Sequence, residues 1–243
     1  MAHAIELRDF SIGHGSRILI RNVSTEFASG TLTALIGRNG SGKSTLLRAL
    51  GGLDTRYSGD IFIEGEDLRT LSALRRARLL ALVTTERTRI AAMRCEDVVA
   101  TGRAPHTGWA GRLSAYDRER VAAALAAVGM TAYAQRTMDT MSDGECQRVM
   151  IARALAQDTP VLLLDEPTSF LDMPSRYELA SLLGSLAREQ GKCVIFSTHE
   201  LDIAVECCDM VALVAEETLT NLPPDRMTVE GHIDRLFKKT ITG

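Results

Sequence analysis

The stretch GRNGSGKST occupies residues 37–45. It fits the pattern GxxxxGK[ST], with a predicted strand (TLTALIG) before it and a predicted helix (STLLRALGGL) after it. The glycines let the backbone curl so that successive N–H groups point at phosphate oxygens, and the helix adds its positive N-terminal end. The stretch therefore predicts a phosphate-binding loop. Its predicted nucleotide-binding residues are Gly37, Asn39, Gly40, Ser41, Gly42, Lys43, Ser44 and Thr45.

Two side chains of this loop have specific predicted roles. Lys43 is expected to reach the β- and γ-phosphates, and the Ser44 hydroxyl is expected to ligate Mg²⁺. The motif alone does not separate a kinase, a switch and a motor, because each of them holds a nucleotide. The rest of the chain has to decide between these uses.

The composition disfavours several classes of protein. The chain has 243 residues, is 45% hydrophobic and carries a formal net charge of −3. This length and apolar content suffice for one large core. The chain lacks the excess of basic residues that is typical of proteins that bind nucleic acids. The five cysteines include no CxxC pair, which favours reduced thiols in a cytosolic protein. We find no apolar signal-peptide run and no stretch near the roughly 20 apolar residues of a membrane helix.

Predicted strands alternate with predicted helices along the chain. Up to about Val83 the sequence predicts strands and turns around one helix. The middle predicts two helices, AYDRERVAAALAAVGM and GECQRVMIARALAQ, and a loop, TGRAPHTGWAGR. The last part predicts the strands VLLLDE, CVIFSTH and DMVALV and the helix MPSRYELASLLGSLAREQG, followed by a polar tail with a weak helical segment, HIDRLFKK. This alternation predicts a mostly parallel sheet covered by helices.

Two acids and a histidine follow predicted apolar strands. Asp165 and Glu166 end the first of these strands, and His199 ends another. Because the carboxyl ends of parallel strands open into one crevice, we expect all three beside the phosphate loop. Asp165 is then a candidate Mg²⁺ ligand, Glu166 a candidate to orient or deprotonate water, and His199 a candidate hydrogen-bond partner of the γ-phosphate. Solvated acids and a structural histidine are the alternative interpretation.

The segment MSDGECQRV predicts a second anion-binding helix start, with Gly144 in the turn. Residues 141–145 resemble the signature sequence of ABC ATPases, usually written LSGGQ. SFLD, which ends at Asp172, resembles the D-loop of that family, and His199 resembles its switch histidine. The order and spacing of these elements match the family over nearly the whole chain.

The resemblance implies an α/β fold of the P-loop NTPase class, with a mostly parallel core sheet, an antiparallel β subdomain and an inserted α-helical subdomain. It implies one ABC ATPase domain over 1–243. The core and β subdomain are expected at about 1–86 and 158–215, the helical subdomain at about 87–157, and a short tail at 216–243. ATP and Mg²⁺ are the implied cofactors, and hydrolysis of ATP is the implied reaction.

The resemblance also implies a use for the second helix start. In that family two ATPase domains pair head to tail, and each ATP lies between the phosphate loop of one copy and the signature of the other. Ser142, Gly144, Glu145 and Asp172 are therefore expected to face the nucleotide of a second copy. Such a protein is a motor, in which ATP joins two subunits and hydrolysis releases them.

The chain departs from the family pattern at two places. The aromatic residue that usually stacks on adenine corresponds to His14 in SIGHGSR, so His14 or another residue is expected to hold the base. The glutamine that usually touches Mg²⁺ or its water, and senses the transport partner, is missing near ALVTTER. Thr85 or Glu86 stands there instead, and the sequence does not choose between them.

VVATGRAPHTGW resembles the GRxPH stretch of ATPases that serve iron-siderophore, haem and cobalamin importers. This resemblance implies a metal-chelate importer subunit, held by a separate multi-span permease at the cytoplasmic face of the inner (plasma) membrane. A substrate-binding protein is an indirect partner, and no nucleic acid is expected. Trp109 and Arg112 are candidate permease contacts, with a solvated loop as the alternative. An ABC ATPase without a permease, in cofactor assembly or nucleic-acid handling, is the competing class, and a poorly hydrolysing switch is a third.

Overall fold

The computed structural model describes residues 3–15, 17–86, 90–109 and 111–232 as two β-sheets with helices packed around them. The strands are β1 (His3–His14), β2 (Arg17–Ala28), β3 (Leu32–Ile36), β4 (Tyr57–Ile63), β5 (Glu66–Asp67), β6 (Leu80–Val83), β7 (Val161–Leu164), β8 (Cys193–Ser197), β9 (Met210–Ala215) and β10 (Thr218–Leu222). The α-helices are α1 (Lys43–Leu50), α2 (Ala73–Leu79), α3 (Cys95–Ala100), α4 (Ala115–Ala127), α5 (Asp143–Ala156), α6 (Met173–Gln190), α7 (Leu201–Glu206) and α8 (Pro224–Val229). Short 3₁₀ helices cover Thr101–His106, Thr131–Tyr133 and Met138–Thr140.

The larger sheet has six strands in the order β10-β9-β3-β8-β7-β6. The five strands from β9 to β6 are parallel, and β10 pairs with β9 in the antiparallel direction. The second sheet, β2-β1-β4-β5, is antiparallel. Helices α3, α4 and α5 lie in the chain between β6 and β7. The predicted fold class is confirmed by this combination of a mostly parallel sheet, an antiparallel sheet and inserted helices.

The register of the parallel strands brings four loops to one edge of the sheet. Leu35 of β3 pairs with Ser197 of β8, and Leu164 of β7 pairs with Phe196 of β8. Val83 of β6 pairs with Leu164 in turn. The loops that follow these strands therefore begin side by side, as expected for the carboxyl edge of a parallel sheet.

Side chains of the parallel strands alternate between two apolar layers. Leu35 and Leu163 lie in a layer shared with the antiparallel sheet and with α1, whose Leu47 is fully buried. Ala34 and Phe196 lie in the other layer, which the inserted helices and α6 cover. Because successive residues of a strand point to opposite faces, both faces of the sheet are buried and these strands are almost wholly apolar.

Several short elements were not predicted. Before Val83 the sequence suggested one helix, but α2 is a second one, so that prediction is wrong. Ser72 caps α2, its Oγ accepting a hydrogen bond from the Arg75 amide at 3.2 Å. Only Leu79 of this helix is buried, so apolar periodicity could not reveal it. Helices α3, α7 and α8 and the strand β10 are similarly short. Of the weak helical segment HIDRLFKK, all but His232 lies outside the described residues.

The predicted loop TGRAPHTGWAGR is partly wrong, because Thr101–His106 forms a 3₁₀ helix. A close approach to α5 imposes this shape. A Cβ atom placed on Gly102 would lie 2.2 Å from the Arg153 carbonyl oxygen, so only glycine fits there. His106 Nε2 also lies 2.8 Å from the Gln157 carbonyl oxygen. These are contacts between segments far apart in the chain, which a local pattern does not contain.

No helix within the described ranges has the length and apolar character needed to cross a bilayer.

A buried ion pair ties the 3₁₀ helix to α4 and α5. Arg103 Nε donates to Asp117 Oδ1 at 2.9 Å, and both side chains are more than nine-tenths buried. Arg103 also donates to the Ala156 carbonyl oxygen at 2.8 Å, and Asp117 accepts hydrogen bonds from the Ser114 amide and hydroxyl. Hydrogen bonds from Ser114 and Arg103 lower the pKa of Asp117 to about 2.

We predict that Asp117→Asn destabilises the protein by about 3–5 kcal/mol, because it leaves the Arg103 charge buried without its partner. The matched control is Glu119→Gln in the same helix, an exposed acid whose loss is expected to change stability by less than about 0.5 kcal/mol. Denaturant titration at pH 7 measures both. Since the pKa of Asp117 is lowered, its contribution is present above its unfolded pKa and is lost as the pH falls through about 2. Equal stability of wild type and Asp117→Asn at pH 7 contradicts this assignment.

Candidate functional site

The phosphate-binding loop joins the buried end of β3 to the start of α1. Its first residue, Gly37, has a φ of 153°, and a Cβ atom there would lie 2.6 Å from the Val214 carbonyl oxygen. Gly42, just before α1, has a φ of 113°, and its Cβ would lie 3.0 Å from Leu19 Cβ. A side chain is therefore excluded at both ends of the loop, which curls between the β9–β10 hairpin and β2.

Lys43 is held against this loop. Its Nζ donates to the carbonyl oxygens of Gly37 at 2.9 Å and Arg38 at 3.3 Å, and the residue is 6% exposed. Burial lowers the pKa of Lys43, while the charges of Glu166 and Asp165 act in the opposite direction. The structure thus places one buried amine between the loop backbone and the two acids that the sequence singled out.

Three hydroxyl groups converge on the carboxylate of Asp165. Ser44 Oγ donates to Oδ1 at 3.0 Å, Ser197 Oγ donates to Oδ1 at 2.7 Å, and Thr85 Oγ1 donates to Oδ2 at 2.8 Å. Asp165 follows β7 directly and is 5% exposed. A carboxylate flanked by hydroxyl oxygens is the donor set that Mg²⁺ takes in nucleotide sites, where few protein ligands suffice because phosphate and water complete its shell. The residues present fit the metal that the sequence predicts.

The structure distinguishes the two residues that stand in the place of the missing glutamine. Thr85 contacts Asp165, as just described. Glu86 points elsewhere: its Oε1 accepts a hydrogen bond from Arg48 of α1 at 3.0 Å, and its side chain is 74% exposed. Of the two candidates, Thr85 is the one that lies at the acid.

Glu166 and His199 are brought together, as predicted from their places after β7 and β8. His199 Nδ1 lies 3.4 Å from Glu166 Oε1, and Ser169 Oγ donates to Glu166 Oε2 at 3.1 Å. The Glu166 backbone has a φ of 49°, in the left-handed region that non-glycine residues rarely occupy. Its amide donates to Ser197 Oγ at 2.8 Å. Both side chains remain partly exposed, so water can reach them.

Ser197 is a residue of this site that the sequence analysis missed. It is fully buried at the end of β8 and hydrogen-bonds both Asp165 and the Glu166 amide. The only signal in the sequence is a hydroxyl where an apolar strand meets Thr198 and His199. That signal is indistinguishable from an ordinary polar strand end.

The predicted signature forms the N-terminus of α5. Ser142 Oγ accepts from the Glu145 amide at 3.2 Å, and the Glu145 carboxylate accepts from the Ser142 amide at 2.8 Å and hydroxyl at 3.0 Å. These hydrogen bonds from Ser142 lower the pKa of Glu145. Gly144 lies against the 169–172 loop, because a Cβ there would be 3.0 Å from the Phe170 carbonyl oxygen. Asp172 caps α6 through the Ser175 amide at 3.0 Å.

The signature and the phosphate loop are separate within one chain. None of the hydrogen bonds or ion pairs seen among residues 3–15, 17–86, 90–109 and 111–232 joins Ser142 or Glu145 to residues 37–45.

A cavity of about 580 Å³ adjoins the phosphate loop. Its lining includes Arg17, Ile18 and Leu19 of β2, Arg38 and Asn39 of the loop, and residues 213–218 of the β9–β10 hairpin. His14, the candidate for stacking on adenine, is exposed at the end of β1 and is not among the lining residues. The structure thus offers two places for a base next to the loop, one at His14 and one in the cavity.

Comparison with known proteins decides the family. Residues 20–169 match the family described as ABC transporter. The chain belongs to the ABC transporter family of ATPases. CbrD of Dickeya dadantii, an achromobactin transport ATP-binding protein, is 37% identical over 215 residues, which are 88% of this chain and 80% of the relative. FhuC of Bacillus subtilis, an iron(3+)-hydroxamate import ATP-binding protein, is 34% identical over 202 residues, which are 83% of this chain and 75% of the relative.

A solved structure agrees with this assignment. The dimeric ATP-binding cassette MJ0796, in a post-hydrolysis state with ADP and phosphate bound, aligns with a TM-score of 0.79 and 25% identity. The alignment covers 90% of this chain and 98% of that chain. The resemblance stated from the motifs is confirmed, and with it the ATPase class and the binding of ATP. The roles of individual residues in this ABC ATPase remain predictions.

We predict that His14→Ala weakens ATP binding and that His14→Tyr keeps or improves it. Stacking a base on an aromatic ring contributes about 1–3 kcal/mol, and an imidazole is expected at the low end because its ring is small. Titration calorimetry with ATP measures the effect. Ile18→Ala is the matched comparison, since Ile18 lines the cavity. If the Kd rises in Ile18→Ala and stays unchanged in His14→Ala, the base lies in the cavity and not on His14.

Proposed function

We propose that this ABC ATPase is the energising subunit of an importer for metal chelates of the iron-siderophore, haem or cobalamin class. It works with a second copy of itself, bound to a separate multi-span permease at the cytoplasmic face of the inner membrane. A substrate-binding protein delivers the chelate to that permease. The names of relatives such as FhuC, an import protein for iron(3+)-hydroxamate, support this proposal, as does the GRxPH stretch.

The observation that carries the catalytic part is the convergence of Ser44, Thr85 and Ser197 on Asp165, with Glu166 and His199 beside it. Lys43 and the loop amides hold the phosphates of ATP, as the phosphate-loop geometry requires. Ser44 and Asp165 hold Mg²⁺, with Thr85 next to them. When bound, the metal neutralises charge on the β- and γ-phosphate oxygens.

Glu166 accepts the proton of the attacking water, and His199 hydrogen-bonds the γ-phosphate. The 3.4 Å contact between these two side chains supports the assignment, because it places the carboxylate and the imidazole side by side. Their partial exposure leaves access for water. Proton transfer by a positioned carboxylate contributes about 10²–10⁴ in rate.

The second copy supplies the signature. Within the described residues, Ser142 and Glu145 share no hydrogen bond with residues 37–45, and a helix start is a place where an anion can bind. In a head-to-tail pair they contact the γ-phosphate held by the loop of the other copy. ATP then joins the two subunits, and hydrolysis removes the phosphate that both of them hold. The dimeric assembly of the MJ0796 cassette supports such a pair.

The permease is proposed to dock on the inserted helices, the segment of about 87–157. Trp109 is fully exposed, and Leu74 of α2 and Tyr116 of α4 are also more than half exposed. Arg78 of α2 donates to the Pro105 carbonyl oxygen at 2.9 Å, which joins α2 to the 3₁₀ helix before Trp109. Exposed large apolar side chains on neighbouring elements favour a protein partner.

We predict that Trp109→Ala spares the ATPase activity of the isolated protein and reduces its stimulation by the permease in membranes. Trp109 takes part in none of the hydrogen bonds described for the site, so basal hydrolysis is expected to stay unchanged. The matched control is Val229→Ala, another exposed apolar residue, on α8, which is expected to keep normal stimulation. Equal loss of basal and stimulated activity in Trp109→Ala counts against the docking surface.

We predict that Glu166→Gln lowers ATP hydrolysis by about 10²–10⁴-fold and accumulates an ATP-bound dimer. Glutamine keeps the shape of the side chain but accepts no proton, and it removes a negative charge facing the γ-phosphate. Binding survives because Lys43, Ser44 and Asp165 are unchanged. Gel filtration with ATP and Mg²⁺ measures the dimer.

The double variant Glu166→Gln with Ser142→Arg tests the pairing. A bulky side chain at the signature blocks the γ-phosphate of the other copy, so this variant is expected to remain monomeric at saturating ATP. Its ATP affinity is measured separately, because Ser142→Arg also removes a helix cap that contributes about 1 kcal/mol. A monomeric Glu166→Gln, or a double variant that binds ATP and still dimerises, contradicts the head-to-tail mechanism.

A further inference from the structure

Ser197 occupies a position between the two acids of the site. It is the last residue of β8 and is fully buried. In the parallel register, its neighbour Phe196 pairs with Leu164, the residue before Asp165. The side chain of Ser197 therefore meets the chain where β7 ends and the acidic turn begins.

The hydroxyl of Ser197 makes two directed hydrogen bonds. It donates its single proton to Asp165 Oδ1 at 2.7 Å, and its oxygen accepts from the Glu166 amide at 2.8 Å. The Glu166 amide can only donate, so the Ser197 oxygen must accept this bond, and the Ser197 hydroxyl proton is left for Asp165. One side chain thus connects the carboxylate of one acid to the backbone of the next.

The Glu166 backbone needs such support. Its φ of 49° is disfavoured for a residue with a Cβ atom, and it persists only where the surroundings hold it. The Ser197 oxygen accepts a hydrogen bond from the amide of Glu166. The Glu166 carboxylate lies 3.4 Å from His199 Nδ1, and its other oxygen accepts a hydrogen bond from Ser169 Oγ at 3.1 Å.

We propose that Ser197 is a positioning residue for ATP hydrolysis. It acts through Asp165 and Glu166, so the inference rests on the proposed role of Glu166. Its hydroxyl holds the metal-binding carboxylate in one orientation and the backbone of the water-activating residue in its left-handed conformation. Loss of the hydroxyl leaves ATP binding in place, because Lys43 and the loop amides are untouched, and misplaces the Glu166 carboxylate.

The test compares Ser197→Val with Ser197→Thr. Valine and threonine have nearly the same shape, so the pair isolates the hydroxyl from changes in packing. Loss of a group that orients a metal ligand typically costs about 10–100-fold in activity. We expect kcat for ATP hydrolysis to fall by this factor in Ser197→Val, with KM for ATP nearly unchanged, and to recover in Ser197→Thr. If valine does not fold at this position, Ser197→Ala against wild type gives the comparison, because alanine and serine differ by the hydroxyl alone.

Thr33→Val provides the control for a buried hydroxyl. Thr33 lies on the adjacent strand β3 and is 1% exposed, and its Oγ1 has no hydrogen-bond partner in the described part of the chain. Its Oγ1 shares no hydrogen bond with either acid, and sites without shared partners act independently to within about 0.3–0.5 kcal/mol, so kcat is expected to stay within about twofold of wild type. A fall in Thr33→Val as large as in Ser197→Val overturns the proposal.

Glu166→Gln in the same assay distinguishes a failure of the proposed role of Glu166 from a failure of the proposed role of Ser197. If Glu166→Gln hydrolyses ATP at the wild-type rate, the proposed role of Glu166 is wrong and the inference falls with it. If Glu166→Gln is inactive but Ser197→Val and Ser197→Thr have the same kcat, the function stands and only the positioning role of Ser197 is overturned. A fall in kcat in Ser197→Val with recovery in Ser197→Thr, together with an inactive Glu166→Gln, supports the proposed roles of both residues.

Discussion

The carboxylate of Asp165 is the constraint on which the rest of the site depends. A buried negative charge is costly unless hydrogen-bond donors surround it. Here the donors come from three different elements: Ser44 at the start of α1, Thr85 after β6 and Ser197 at the end of β8. Since these groups must meet at one carboxylate, the phosphate loop and the ends of three strands are fixed relative to each other. The parallel register of the sheet makes the meeting possible.

The same constraint separates two consecutive acids into two environments. Asp165 is buried among hydroxyls, a setting that suits a permanent metal ligand, whereas Glu166 is partly exposed and faces His199. The Glu166 backbone is left-handed, and its carboxylate contacts His199 and Ser169, whereas Asp165 accepts from the three hydroxyls. Neighbouring carboxyl groups take different chemical roles when their surroundings differ in this way. Binding and hydrolysis can therefore use adjacent residues.

The sequence was sufficient where the chemistry follows from short local patterns. In three places an apolar strand is followed by polar residues: the phosphate loop, the acids after β7 and His199 after β8. The structure places these three groups together. Thr85 and Glu86 could not be separated, because the direction of a side chain after a strand depends on its neighbours. Ser197 and the 3₁₀ helix at Thr101–His106 were missed for a related reason. Their roles come from contacts with Asp165 and with α5, which lie far away in the chain.

The sequence of the signature both caps helix α5 and affects how the helix start can bind an anion. Ser142 and Glu145 form a reciprocal helix cap, in which the carboxylate takes both donors of Ser142. A carboxylate at a helix N-terminus occupies the place that an anion prefers. In the proposed dimer, a γ-phosphate must therefore compete with Glu145 for Ser142, a competition that a neutral glutamine would weaken. The phosphate gains little from this helix start alone and needs the positive charge of Lys43 and of the metal on the opposite loop. In the proposed dimer, the negative charge of Glu145 therefore makes the signature depend on the nucleotide and metal of the other copy to hold a γ-phosphate.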